Sequence, residues 1–281
     1  MLVPGTIIGG FIMYKGFDLS LSRERFKKFL SHNEVKWATI LVREIAAKRK
    51  NMMLVKDAAA KGLFVIDGDL AEETTFPIEP CHVFISHSHD DFDIALALRY
   101  ALKRWCGLDA FVDSMIWENF RDLSTEMYQK IIAARRITDE EKKQKVWDRI
   151  VSHAHCMLTK SLVEMMDECE CLIFLNTPNS IQITDGGDTT CSPWIHTELA
   201  MSHFLREKPD DRRVQAVTES MKFAFDEDDT QNLAQYQADK SNLSVLDEEQ
   251  LIDWICAASN LPKTGELEQL AFRSLNLLYK K

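Results

Sequence analysis

Cys81-His82-Val83-Phe84-Ile85-Ser86-His87-Ser88-His89-Asp90-Asp91 is the stretch that decides the fold: a short apolar run of strand type ending abruptly in a polar loop. Working outward, Ile94, Leu96, Ala97, Leu98, Ala101, Leu102 and Trp105 are spaced as a helix, and Gly107 is a natural residue to end it. Ala110-Phe111-Val112 then reads as a second strand, closed by Asp113 and Ser114. Strand, polar loop, helix, strand is the opening of a parallel α/β sheet, whose ligand crevice is lined by the loops after the strand C-termini. Cys171 to Leu175, short and wholly apolar, is a central strand of that sheet, and Val214 to Val217 is a weaker fourth.

After the third strand, Ser192 is a good N-cap and Pro193 suits the first helical position, so a helix starts there and Pro209 stops it. Trp194, Glu198, Met201 and Leu205 fall at i, i+4, i+7 and i+11, a single stripe flanked by Ile195 and Leu199. A carboxylate therefore stands in an apolar face beside an indole. Either Glu198 reaches water at the rim of that face, or it lies in a cleft, where partial desolvation would raise its pKa and suit it to acid, base or cation-stabilising work.

The 281 residues, 46% hydrophobic and 28% charged, fit a soluble globular protein with one large domain or a smaller one with sizeable additions. A formal charge of -10 argues against a general nucleic-acid binder. The seven cysteines show no paired CxxC spacing, which points to a reducing, cytoplasmic setting without a disulfide framework or structural zinc. Met1 to Met13 is apolar but too short and too rich in Gly and Pro for a signal or a membrane span.

The flanks read as helical. Residues 1–80 form a helical N-terminal region with basic character (Arg23, Arg25, Lys27, Lys28, Arg43, Lys48, Arg49, Lys50, Lys56) ending in an acidic linker, Ala71 to Pro80. Leu63 to Ile66 is a possible short strand within it. Residues 221–281 form a C-terminal extension with helices over Glu248 to Ala258 and Glu266 to Leu278. Within the central 81–220, Thr125 to Ile132 and Glu140 to Glu168 are helical, with an insertion at about 133–157, and Thr184 to Cys191 is a smaller insertion.

Two chemistries compete for the loop at Ser86 to Asp91. His87, His89 and Asp91 reproduce most of an HxHxDH zinc pattern, but Phe92 replaces the final His. His153, His155, His196 and His203 are the other ligands available; His196 and His203 lie on a helix face at i, i+7, and His153 and His155, at i, i+2, point apart. For the same loop the alternative to ligand contact is helix capping by Ser88 or Asp90.

The order of parts as a whole, Val83 to Asp90, a helix, Phe111-Val112-Asp113 followed by Trp117, a helix, Cys171 to Leu175, then Ser192-Pro193-Trp194 and Glu198-Leu199, closely resembles the TIR (Toll/interleukin-1 receptor) domain family, particularly its prokaryotic members. The resemblance covers about Cys81 to Val217. It implies a flavodoxin-like parallel sheet flanked by helices and cleavage of NAD+ between nicotinamide and ribose, as a glycohydrolase or ADP-ribosyl cyclase in antiphage immunity. It gives Glu198 the catalytic place and makes Ser86, His87, Asp90, Asp113, Trp117 and Trp194 substrate-binding, with NAD+ as substrate, no cofactor and no metal. It implies self-association through the loop from Asp113 to Asp122 and leaves room for a regulatory partner protein; nucleic acid and membrane are not expected partners. That loop lacks the Gly or Pro common in the family, having Trp117-Glu118-Asn119-Phe120-Arg121-Asp122. A non-catalytic TIR adaptor is the alternative reading.

Overall fold

The computed structural model describes residues 15–32, 81–112, 120–204, 235–262 and 267–280. Its centre is a five-stranded, wholly parallel sheet: β1 (Lys15–Ser20), β2 (Val83–Ser86), β3 (Ala110–Val112), β4 (Cys171–Asn176) and, late in the chain, Ser244–Leu246. A second, antiparallel sheet is formed by β5 (Gln182–Thr184), β6 (Gly187–Thr190) and β7 (Tyr236–Gln237), which makes Ser244–Leu246 β8. The spatial order of the main sheet is β3-β2-β4-β1-β8. The helices are α1 (Arg23–His32), α2 (Phe92–Ala101), α3 (Phe120–Arg135), α4 (Glu140–Glu168), α5 (Pro193–Ser202), α6 (Glu248–Ser259) and α7 (Leu267–Tyr279). A π turn over Leu102–Cys106 prolongs α2 and is closed by Gly107 at φ 71°, the left-handed conformation in which glycine costs least.

Side chains of alternate strand residues separate into two cores, as the period of two in a pleated strand requires. Val83, Ile85, Ala110, Val112, Cys171, Ile173 and Leu175 join Phe17, Leu19 and Leu246 with the apolar faces of α1, α2, α6 and α7. Phe84, Phe111, Leu172 and Phe174 point the other way, onto Leu158, Leu162, Met165 and Met166 of α4 and Ile195 and Leu199 of α5. The protein is thus a three-layer α/β fold with helices on both faces of a parallel sheet. Among the described residues no helix is long and apolar enough to cross a membrane.

Several expectations are corrected here. The N-terminal region expected to be helical contributes a strand, Lys15–Ser20, paired with β4 on one side and β8 on the other. Gly16 shows how closely it is packed: a Cβ there would lie 2.3 Å from Leu243 Cδ2, on the approach to β8, so that leucine side chain would have to shift. The C-terminal region is likewise no appendage. It supplies β8, and Trp254 of α6, fully buried, donates its indole N–H to the Ser274 carbonyl of α7 at 2.7 Å. The insertion expected at about 133–157 is the hairpin of α3 and α4, turning over residues 136–139 with Asp139 as N-cap and Tyr128 edge-on to Trp147. Thr184 to Cys191 falls mostly in the small antiparallel sheet. Val214–Val217, Leu63–Ile66 and the acidic linker lie outside the described residues.

Candidate functional site

In chain order β2 is followed by β3 on one side and then by β4 on the other, so the strand order reverses between β2 and β4. The C-terminal end of that gap is where open parallel sheets place their ligands. Ser86 is the last residue of β2 and is fully buried, its side chain turned to the α5 face like that of Phe84.

Helix α5 supplies the opposite wall. It starts as expected: the Ile195 N–H is held by Ser192 Oγ at 3.3 Å, Pro193 occupies the first turn, and the Ser192 N–H donates to Thr190 Oγ1 at 3.2 Å. It ends at Ser202, before Pro209. The buried face is Ile195, Glu198, Leu199 and Ser202, spaced i, i+3, i+4 and i+7. The expected stripe is therefore rotated: Trp194 and Met201 lie at its margin, and Leu205 is outside the described residues. The rotation drives Glu198 inward. It is 2% exposed, and Oε2 accepts a short hydrogen bond from Ser86 Oγ. A buried carboxylate is tolerated only with such partners. This contact brings the Glu198 carboxylate to the end of β2.

The loop after β2 divides its polar groups. His87 is buried, stacked over Phe92 with centroids 6.2 Å apart, its Nδ1 3.3 Å from the Ile85 carbonyl. His89 and Asp90 are exposed. The Asp90 carbonyl accepts from Arg23 Nη2 at 3.2 Å, and the same nitrogen pairs with Asp93 at 2.8 Å, so the start of α1 braces the loop. Neither Ser88 nor Asp91 caps with its side chain, which removes side-chain capping at those two positions as the reason for this polar run.

Asp91, not Asp90, is the buried acid of this loop. It is 2% exposed and accepts from Thr177 Oγ1 and from Asn179 Nδ2 at 2.9 Å. Ser180 completes the turn, donating to the Leu175 carbonyl at 2.7 Å and accepting from the Thr177 N–H at 2.9 Å. The loops after β2 and β4 are thereby fastened together beside the gap. Sequence reasoning missed Thr177, Asn179 and Ser180; the available signal was the turn composition of Thr177-Pro178-Asn179-Ser180 after an apolar strand.

Trp194, one turn before Glu198, keeps part of its surface exposed and stacks on His155 of α4, with centroids 5.6 Å apart and ring planes 19° apart. Asp113 and Trp117 lie outside the described residues. The zinc pattern is split, with His87 turned in and His89 out; among the described residues no group of three or more His, Cys, Asp or Glu side chains is placed to hold a metal ion. All seven cysteines are free thiols. Burial pushes Cys106 up to about 12, and Cys169 and Cys171 are also held well above the ordinary thiol range, so these three are poor nucleophiles.

Searched against protein-family models, curated proteins and solved structures, the chain matches none of them.

Proposed function

We propose that the chain is an NAD+-cleaving enzyme of the TIR type, a glycohydrolase or ADP-ribosyl cyclase, with Glu198 as its catalytic carboxylate. The observation that carries this reading is the Ser86 to Glu198 hydrogen bond, which brings the acid of α5 to the end of β2 at the strand-order reversal. By position, β3, β2 and β4 follow the 2-1-3 start of a flavodoxin-like sheet, and β1, from the N-terminal side, fills the fourth place.

In the proposed reaction the bond from ribose C1′ to the nicotinamide nitrogen breaks, and its electron pair leaves with nicotinamide, which becomes neutral. The ribose is left with oxocarbenium character, and a carboxylate close to it stabilises that charge, as in glycoside hydrolysis. Ser86 fixes one carboxylate oxygen and so sets the plane of the group. Water or an adenine nitrogen then bonds to C1′; water loses its proton, giving ADP-ribose, while attack by adenine gives a cyclic product. His87 and Trp194 stand on the two elements that flank the site, and NAD+ serves as substrate with no separate cofactor.

The test is Glu198→Gln, nearly isosteric and still able to accept from Ser86. Nicotinamide release from NAD+ should fall by about a thousandfold or more, with an unchanged circular dichroism spectrum. One observation favours a second reading, a non-catalytic docking module: Glu198 is almost wholly enclosed and satisfied by Ser86, as a purely structural pair would be. Under that reading the wild-type chain releases no nicotinamide and the substitution alters only stability.

A further inference from the structure

The long helix α4 overshoots the sheet it packs against. It ends at Glu168, just before β4 begins at Cys171, so traced backwards from that end it passes along the sheet to the C-terminal edges of the strands. From Glu168 to His155 it covers about 20 Å at the α-helical rise. The six residues of β4 cover about 17 Å in the same direction. His155 therefore stands level with the edge where Ser86 and Glu198 meet, and most side chains between Glu140 and Arg149 are exposed beyond it.

His155 also breaks the chemistry of its own row. The buried positions of α4 are Ile150, Ala154, His155, Leu158, Ser161, Leu162, Met165 and Met166, so the imidazole is the one titratable ring among them. It is 8% exposed, and its face lies against the Trp194 indole at 5.6 Å between centroids. Trp194 and Glu198 are four residues apart on α5, so the ring that His155 holds lies one turn from the carboxylate. An aliphatic residue would fill the same space without fixing the plane of the indole; a flat ring parallel to it does both.

We infer that His155 is a positioning residue for the base-binding wall of the site: stacked on Trp194, it holds the indole flat beside Glu198, so that a planar heterocycle of the substrate meets an ordered aromatic face. The inference rests on reading the site as one that takes NAD+. It assigns to the hairpin of α3 and α4 the task of completing the site from within the same chain.

The experiment compares the full-length chain with His155→Ala and His155→Phe, following nicotinamide release from NAD+ and, with each placed in a Glu198→Gln background that does not turn over, calorimetric binding of NAD+. The alanine variant should raise KM by about three- to tenfold and weaken NAD+ binding equally, with kcat within about a factor of two, and phenylalanine should restore both. An alanine variant with unchanged KM and NAD+ affinity overturns the inference while leaving the enzyme reading intact. So does a phenylalanine variant as impaired as alanine, because the ring alone would then not suffice. A wild-type chain that releases no nicotinamide removes the enzyme reading, and the inference then stands or falls on NAD+ binding: loss of affinity in alanine restored in phenylalanine upholds it, and equal or absent binding with and without the alanine substitution overturns it.

Discussion

The two faces of the sheet are built from the same strands but to different rules. The face under α1, α2, α6 and α7 is filled by aliphatic side chains, Phe17, Phe26 and Trp254, and among the described residues its buried carboxylates, Asp91 and Glu248, stand at helix starts. The face under α4 and α5 takes polar groups into its interior. Ser86 and Asp18 each lie in register with Phe174, and alternation turns both toward that side, so one aromatic ring stands between two polar residues of neighbouring strands. Ser86 meets Glu198; Asp18 accepts from Asn176 at 3.2 Å and pairs with Lys240 at 3.1 Å, which also binds Asp188 of β6 at 2.8 Å. One face holds the fold by area removed from water, and the other spends part of that area on buried charge near the site.

The contrast is broken most severely by attacking the dry face. Trp254→Ala should cost about 3 to 5 kcal/mol, since it opens a large cavity and leaves the Ser274 carbonyl without its indole donor. The nicotinamide release proposed above, per folded molecule, should stay unchanged. Urea unfolding followed by circular dichroism measures the loss, and a cost below about 1 kcal/mol would mean that the two faces share stability evenly.

A smaller effect is expected on the other face from Lys240→Met. Burial pulls the Lys240 ammonium down, but the Asp188 and Asp18 carboxylates outweigh it and hold its pKa above the ordinary value. Removing the cation leaves the Asp18 and Asp188 carboxylates without their shared partner, at a cost of about 2 kcal/mol, less than the roughly 3 to 5 of a fully buried pair because some water reaches it. The same urea experiment decides, and a cost below about 1 kcal/mol would show that the residue contributes through the packing of its stem, most of which methionine retains.

The dry face was the more legible of the two. Its apolar runs, the Gly107 stop and the two C-terminal helices follow from periodicity and composition. So does the start of α5, where Ser192 and Pro193 act locally. What sequence could not supply was long-range placement. Lys15-Gly16-Phe17-Asp18-Leu19-Ser20 carries the alternation of a strand, but nothing local says that it inserts between β4 and β8. The rotation of α5 that buries Glu198 and leaves Trp194 at the margin is fixed by what packs on it, Leu158 and Leu162 from α4, more than 30 positions earlier. Asp91 was read as a metal ligand and Asp90 as a substrate contact, because two adjacent acids after SHSH look alike until Thr177 and Asn179 arrive from the next strand.

The finest probe of the comparison is Glu248, the acid on the dry face farthest in sequence from the candidate site. It opens α6 within a capping box made by Asp247 and Gln250, and Arg25 of α1 lies 3.7 Å away. Burial pushes its carboxyl pKa above the ordinary range, against the opposing pull of Arg25 and of the Ser22 backbone. The folded protein then holds that proton more tightly than the unfolded chain does, so between the ordinary carboxyl pKa and the raised one the native state binds more protons. Stability contributed by this group is present below that window and falls as pH rises through it. Glu248→Gln cannot ionise, and the Arg25 pairing it forfeits is mostly exposed and worth little. The variant should therefore match wild type near pH 4 and gain on it by up to about 1 kcal/mol by pH 7. Thermal unfolding of both chains at the two pH values measures the difference; a wild type that gains on the variant with rising pH would show that Arg25 outweighs burial, and that this face too gains stability from charge.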